Sequence, residues 1–327
     1  MRHALITGGA GFIGSHLAEA LLRRGDHVTV VDDLSTGRLE NIAGVMDHAC
    51  FRFAIETVTN EVVMDRLVSE CDVIFHLAAA VGVELIVSDP VRVIETNVLG
   101  THAVLTVANR YRKKVLIAST SEIYGKNSEV PFGEEDDRLL GPTTKARWSY
   151  ATSKAVDEFL GLAYHRQKGL PIVVFRLFNT IGPRQTGQYG MVVPRFAQRA
   201  LRGEALEVYG DGQQSRCFCD VTDTVNAIIG LSEHPGAVGQ VFNVGSTEEV
   251  TILDLARKVL AIANECGGRH VRGADRIVLV PYDQAYEAGF EDMRRRVPST
   301  RKIRDAIGWA PTIPIEQTLR QIVLSLQ

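Results

Sequence analysis

Short apolar runs rich in β-branched residues alternate, along the first half of the chain, with longer stretches of helical periodicity. The runs predict strands over His3–Thr7, His27–Val31, Phe51–Ala54, Val73–His76, Val115–Ala118 and Ile172–Arg176. The intervening stretches predict helices over Phe12–Arg24, Glu61–Ser69, Val91–Tyr111 and Tyr150–Gln167. Such alternation predicts an α/β fold, a doubly wound parallel (Rossmann) sheet with right-handed crossovers. Ligands in that architecture sit outside the carboxyl ends of the strands.

After residue 178 the pattern loosens. Glycines and prolines cluster at Gly182-Pro183, Gly187 to Gly190 and Gly210-Asp211-Gly212, between short helices and strands. This reads as a dinucleotide-binding domain over 1–178 and a smaller α/β substrate-binding lobe over 179–327. The chain is expected to cross back near 220–245, because Val241–Val244 reads as another short buried strand. No internal repeat, low-complexity tract or linker is visible.

Composition narrows the class. A chain of 327 residues, 45% hydrophobic and 23% charged, can build one large domain plus a smaller lobe. Its net charge of -3 leaves no basic footprint for nucleic acid. No apolar run approaches the ~20 residues that a bilayer crossing needs, and the first strand begins too close to Met1 for a signal peptide. Five cysteines, Cys50, Cys71, Cys217, Cys219 and Cys266, are scattered without a framework and fit a reducing cytoplasm. Cys217 and Cys219 read as two small residues on one face of a strand. No second pair or histidine cluster accompanies them, so no metal is expected.

Candidate chemistry collects at the predicted strand ends. Gly8, Gly11 and Gly14 follow the first strand and open the first helix, so Gly8 can make the sharp turn and Gly11 can admit a pyrophosphate. Gly14 lets helix and strand pack closely. Asp32 and Asp33 close the second strand, where a carboxylate accepts hydrogen bonds from a ribose and repels a 2′-phosphate; NAD is therefore favoured over NADP. Small residues after His76 would let a cofactor lie against the backbone, while His76 itself reads as satisfying a buried hydrogen bond. Thr120-Ser121-Glu122 sets hydroxyls and a carboxylate at the end of the fifth strand. Tyr150 and Lys154 fall on one helix face, one turn apart. A cation there would favour the phenolate and bring the tyrosine pKa down from about 10 towards a range usable for proton abstraction.

Together, Gly8-x-x-Gly11-x-x-Gly14, the set Thr120, Tyr150 and Lys154, Arg176-x-Phe178-Asn179-x-x-Gly182-Pro183-Arg184 and Gly308-Trp309-x-Pro311 resemble the extended short-chain dehydrogenase/reductase family. Its members are nucleotide-sugar epimerases, dehydratases and decarboxylases. The resemblance implies a tightly held NAD, reduced and reoxidised in each turnover. It implies cofactor contacts by Gly8, Gly11, Phe12, Ile13, Gly14, Asp32, Asp33, Leu77, Ala78, Ala79, Asn97, Ser119, Tyr150 and Lys154. Tyr150 would take the proton of a sugar C4 hydroxyl, Lys154 would lower its pKa and bind the nicotinamide ribose, and Thr120 would hydrogen-bond O4. Asn179, Val193, Arg216 and Arg295 would bind the substrate. Glu56-Thr57 departs from the Gly-Asp that members often carry near the adenine.

Three reactions share this first step and part after C4 becomes a ketone. Gly141-Pro142-x-x-Lys145-x-Arg147-Trp148-x-Tyr150, Arg216-Cys217-Phe218 and Gly289-Phe290-Glu291-Asp292-x-x-x-Arg296-x-Pro298-Ser299 are similar to UDP-glucuronate decarboxylases. By that resemblance Arg296 would face the sugar carboxylate, with Glu122 and Ser121 acting near C5. A UDP-sugar 4-epimerase is the alternative, followed by a 4,6-dehydratase; an NAD-binding module without chemistry would more usually have lost Tyr150 or Lys154. The family commonly pairs the helices Val91–Tyr111 and Tyr150–Gln167 across a homodimer.

Overall fold

The apolar runs of the first half fold as β1 (His3–Thr7), β2 (His27–Asp32), β3 (Phe51–Ile55), β4 (Val73–His76), β5 (Lys114–Thr120) and β6 (Ile172–Leu177). The crossovers carry α1 (Phe12–Arg23), α2 (Glu61–Glu70), the short α3 (Val83–Ser88), α4 (Pro90–Arg110) and α5 (Ser149–Lys168). The computed structural model describes residues 1–187, 191–267, 277–281, 284 and 293–327. The segment 289–292 of the decarboxylase-like motif, and residues 188–190 of the glycine cluster, lie outside them.

Local chemistry sets the helix ends. Asn60 Oδ1 accepts the Val63 N–H at the start of α2, and Asp89 Oδ1 accepts that of Arg92 at the start of α4, ahead of Pro90. Gly169, at φ 67°, closes α5 in the left-handed conformation.

The second half adds β7 (Thr180–Ile181), α6 (Val192–Arg202), β8 (Leu206–Tyr209), β9 (Ser215–Cys217), β10 (Cys219–Asp220), α7 (Val221–Glu233) and β11 (Gln240–Val244). It continues with β12 (Glu249–Thr251), α8 (Ile252–Glu265), β13 (Ile277–Val280), α9 (Arg301–Ile307) and α10 (Ile315–Ser325).

The central sheet has seven parallel strands in the order β11-β6-β5-β4-β1-β2-β3. Successive side chains leave a strand on opposite faces, so Ile6 joins the core shared with α1 and α7, while Leu5 joins the core shared with α2 and α4. Both are completely buried, as expected of a sheet covered on both faces. The strand order reverses between β1 and β4, the switch point at which such sheets open a crevice. Beyond β6 a second core gathers Phe196, Val208, Phe218, Leu255, Val259 and Leu319 from α6, β8, α8, α10 and the segment after β9. The strand expected at Val241–Val244 is β11, which returns to the large sheet beside β6.

Candidate active site

A cleft of about 740 Å³ opens at the switch point, between the carboxyl ends of β1, β2, β4 and β5 and residues from the second half. At its floor the chain leaves β1 through Gly8, whose φ is 71°. A Cβ on Gly8 would stand 2.8 Å from the Ala78 backbone nitrogen, and one on Gly14 would stand 2.3 Å from the Gly8 carbonyl oxygen. Only glycine lets the turn, the β4 loop and α1 come this close. No side chain caps α1, and Phe12, Ile13 and Gly14 of its first turn line the cleft. Asp32 closes β2 and accepts the N–H groups of Ala10 and Leu34, each at 2.9 Å. Burial pushes its carboxyl up, opposed by those N–H bonds. Asp33, Leu77, Ala78, Ala79 and Ser119 also line the cleft. A glycine cradle, an uncapped helix N-terminus and a carboxylate at the end of β2 suit the diphosphate and ribose of a dinucleotide.

The reacting groups stand beside this floor. β5 ends at Thr120, whose hydroxyl accepts the Glu122 N–H at 3.2 Å and hydrogen-bonds Tyr150. Tyr150 and Lys154 lie one turn apart on α5, as the spacing predicts. The expected depression of the tyrosine pKa is corrected, however. Burial, and then the charge of Glu122, push the Tyr150 phenol above its ordinary value. Lys154 does not offset this, because its ammonium is 2.7 Å from Asp157 Oδ2, deep inside the protein.

Glu122 forms the second centre. Arg147 donates to its Oε2, and Arg296 Nη2 lies 3.2 Å from its Oε1. Arg296 also reaches Ser121 Oγ at 3.5 Å. Burial alone would raise the Glu122 pKa; the charges of Arg147, Arg296 and, more weakly, Arg216 outweigh it and hold the carboxyl at about 2. Three guanidinium groups thus face one carboxylate.

Thr120, Ser121, Glu122, Tyr150, Lys154, Asn179, Val193, Arg216 and Arg296 all line the one cleft. Two predicted contacts fall outside it. Arg295 is exposed and holds Glu249 through two hydrogen bonds of 2.9 and 2.8 Å, which turn its guanidinium away from the cleft. Asn97 is buried behind the β4 loop, where its amide takes the Ala80 N–H at 2.8 Å and donates to Ser153 Oγ at 3.1 Å. It braces the loop against α5. Arg147 was not predicted as a site residue, although it stands three positions before Tyr150 in a motif that the sequence displays. His76 is satisfied by Thr7 and Thr101. Cys217 and Cys219 are buried thiols pushed up to about 12 by burial, and no metal-binding cluster occurs among the described residues.

Residues 5–322 match the family model described as GDP-mannose 4,6 dehydratase. The chain is 40% identical, over 98% of its length and 97% of the relative's, to a UDP-N-acetyl-alpha-D-glucosaminuronate decarboxylase of Bacillus cytotoxicus. It is 36% identical to UDP-glucuronic acid decarboxylase 1 of Danio rerio, over 98% of this chain and 72% of the relative. Among solved structures, a UDP-glucuronic acid 4-epimerase variant from Bacillus cereus, in complex with NAD and a fluorinated UDP-glucuronic acid, superposes with a TM-score of 0.85. It is 25% identical, with 99% of this chain and 98% of that chain covered.

Proposed function

The chain belongs to the GDP-mannose 4,6-dehydratase family of extended short-chain dehydrogenases, and we propose that it is an NAD-dependent decarboxylase of a UDP-linked hexuronate, with UDP-glucuronate as the leading substrate. The charge around Glu122 carries the reading. Arg147, Arg296 and Arg216 gather around Glu122 at the wall of the cleft, and a cluster of guanidinium groups suits the carboxylate of a uronate. The names of the relatives point the same way.

Gly8, Gly11, Phe12, Ile13 and Gly14 would hold the cofactor diphosphate, Asp32 and Asp33 a ribose, and Lys154 the nicotinamide ribose. When bound, NAD accepts a hydride and later returns it. Tyr150, which must first lose its own phenolic proton to solvent, takes the proton of the sugar C4 hydroxyl, and Thr120, already bonded to the phenol, orients that hydroxyl. With C4 a ketone, the substrate is a β-keto acid. The C5–C6 bond then breaks, its electron pair moves onto the C4 oxygen, and carbon dioxide leaves. A proton is added at C5 before C4 is reduced again. Arg296 and Arg147 hold the carboxylate until it departs, and Asn179 and Arg216 line the nucleotide side.

Glu122 argues against a dehydratase. Held at about 2, its carboxyl has little affinity for a C5 proton at neutral pH. The test is to incubate the protein with UDP-glucuronate and with its N-acetylamino counterpart and weigh the product. Loss of carbon dioxide supports the reading; unchanged mass with C4 inverted selects the 4-epimerase instead.

A homodimer is part of the same proposal. Ile94 and Leu99 on α4 and Val156 and Phe159 on α5 are exposed apolar side chains on adjacent helices. No described helix is long and apolar enough to cross a membrane. Five free thiols suit a reducing compartment, and the cytoplasm is the proposed location.

A further inference from the structure

Behind Lys154 a line of buried side chains runs to the loop that carries Ala78. The Lys154 ammonium donates to Asp157 Oδ2 at 2.7 Å. The lysine is 2% exposed and the aspartate 0%. Thr101 of α4 stands beside the Asp157 carboxylate and lowers its pKa, and Asp157 Oδ1 is buried without a hydrogen bond of ordinary length. The Thr101 hydroxyl is 3.0 Å from His76 Nε2, His76 Nδ1 is 2.8 Å from Thr7 Oγ1, and Thr7 Oγ1 accepts the Ala78 N–H at 3.2 Å.

One direction of donation accounts for the line from Thr101 to Ala78. Thr101 has a single proton, and with that proton turned towards the neighbouring carboxylate its oxygen accepts from His76 Nε2–H. Nδ1 then accepts the Thr7 proton, which leaves the Thr7 oxygen free to take the Ala78 N–H. This requires a neutral imidazole, and burial together with the Lys154 charge pushes His76 down to about 3.

We propose that Asp157 is the positioning residue of Lys154, fixing its rotamer and supplying its counter-charge, and that Thr101, His76 and Thr7 hold Asp157 against the Ala78 loop. The inference rests on the reading that Tyr150 and Lys154 carry the oxidation. Its consequence is electrostatic as well as steric. Tyr150 faces the anions Glu122 and Asp157, the cation Arg296 and the Thr120 hydroxyl. Asp157 faces Lys154 and Glu158, and Lys154 also faces His76. Removing the Asp157 charge makes it easier for both neighbouring acids, the phenol and the ammonium, to lose a proton.

The test is Asp157→Asn, which keeps the shape and a partner for Thr101. The kcat/KM profile with UDP-glucuronate should move to lower pH by on the order of one unit, with kcat falling and KM for the sugar nucleotide nearly unchanged. A readout independent of turnover is the near-ultraviolet phenolate titration of Asp157→Asn minus that of Asp157→Asn/Tyr150→Phe. It should move down relative to the wild-type and Tyr150→Phe pair. An unmoved profile and an unmoved phenolate titration in a folded variant overturn the inference. If Asp157→Asn fails to fold, Thr101→Val should lower kcat severalfold and Thr101→Ser should restore it; wild-type kcat in Thr101→Val overturns the inference. A Tyr150→Phe protein that still turns over would sink the oxidation reading itself, whereas an inactive Tyr150→Phe with an unmoved Asp157→Asn sinks only the role of Asp157.

Discussion

Arg296 Nη2 lies 3.2 Å from Glu122 Oε1, so an arginine just ahead of α9 and a glutamate just after β5 form one ion pair across the cleft. Arg147 takes the glutamate's other oxygen. Both arginine side chains are under a tenth exposed, and the glutamate is the anion they share.

That arrangement makes stability depend on acid pH. The Glu122 carboxyl is depressed in the folded protein, so its contribution is fully present above the unfolded value near 4.3 and is lost as pH falls towards about 2. The loss is on the order of 3 kcal/mol. Thermal unfolding measured between those limits should show a steeper fall for the wild type than for Glu122→Gln. Glu122→Gln should also be less stable at neutral pH, because it leaves two buried guanidinium groups without their anion. Parallel curves for the two proteins would refute the ion pair's role.

Arg296→Ala should act on substrates according to their charge. Losing a charge-assisted hydrogen bond costs about 1.5–3 kcal/mol, which is roughly a 10- to 100-fold fall in kcat/KM for UDP-glucuronate. Binding of UDP-glucose, which lacks the C6 carboxylate, should change much less. Calorimetric titration of both nucleotides into the variant checks the difference, and equal losses would remove Arg296 from carboxylate recognition.

The cofactor floor is predicted to be intolerant of a single methyl group. In Gly14→Ala the new Cβ would stand 2.3 Å from the Gly8 carbonyl oxygen and 2.6 Å from Gly9 Cα, both of them backbone. Relief requires α1 to shift, at roughly 1–3 kcal/mol. The melting temperature should drop and NAD affinity should fall together. Gly44→Ala, where a Cβ would meet nothing within 4 Å, is the control and should change neither.

Phe159 is 59% exposed on α5. If α4 and α5 pair with those of a second copy, Phe159→Glu should convert a dimer to a monomer in sedimentation at micromolar concentration, with little loss of secondary structure. A wild-type protein that sediments as a monomer would end the dimer proposal.

What the sequence disclosed was governed by local spacing. Gly8, Gly14 and Asp32 are legible because a strand, a tight turn and a helix place them by chain geometry alone. Tyr150 and Lys154 are legible because four residues make one helical turn. The true electrostatics of that pair were also within reach, since Asp157 stands a further turn along the same helix, where an anion can take the ammonium. Arg147 and Glu122 meet only because the segment from Gly125 to Trp148 folds back onto the end of β5, and no spacing rule announces that return. Arg295 and Arg296 show the limit most plainly. Neighbours in an extended stretch leave it on opposite sides, and the tertiary register sends Arg296 into the cleft and Arg295 out to Glu249.

The most direct measurement follows the sugar carboxylate itself. UDP-glucuronate labelled isotopically at C6 is turned over by the NAD-loaded protein in deuterated water, and both the gas and the product nucleotide are analysed by mass spectrometry. Decarboxylation predicts that the label leaves as carbon dioxide and that one deuterium appears at C5 of a UDP-pentose. Label retained in a UDP-hexuronate with C4 inverted and no deuterium at C5 would contradict it.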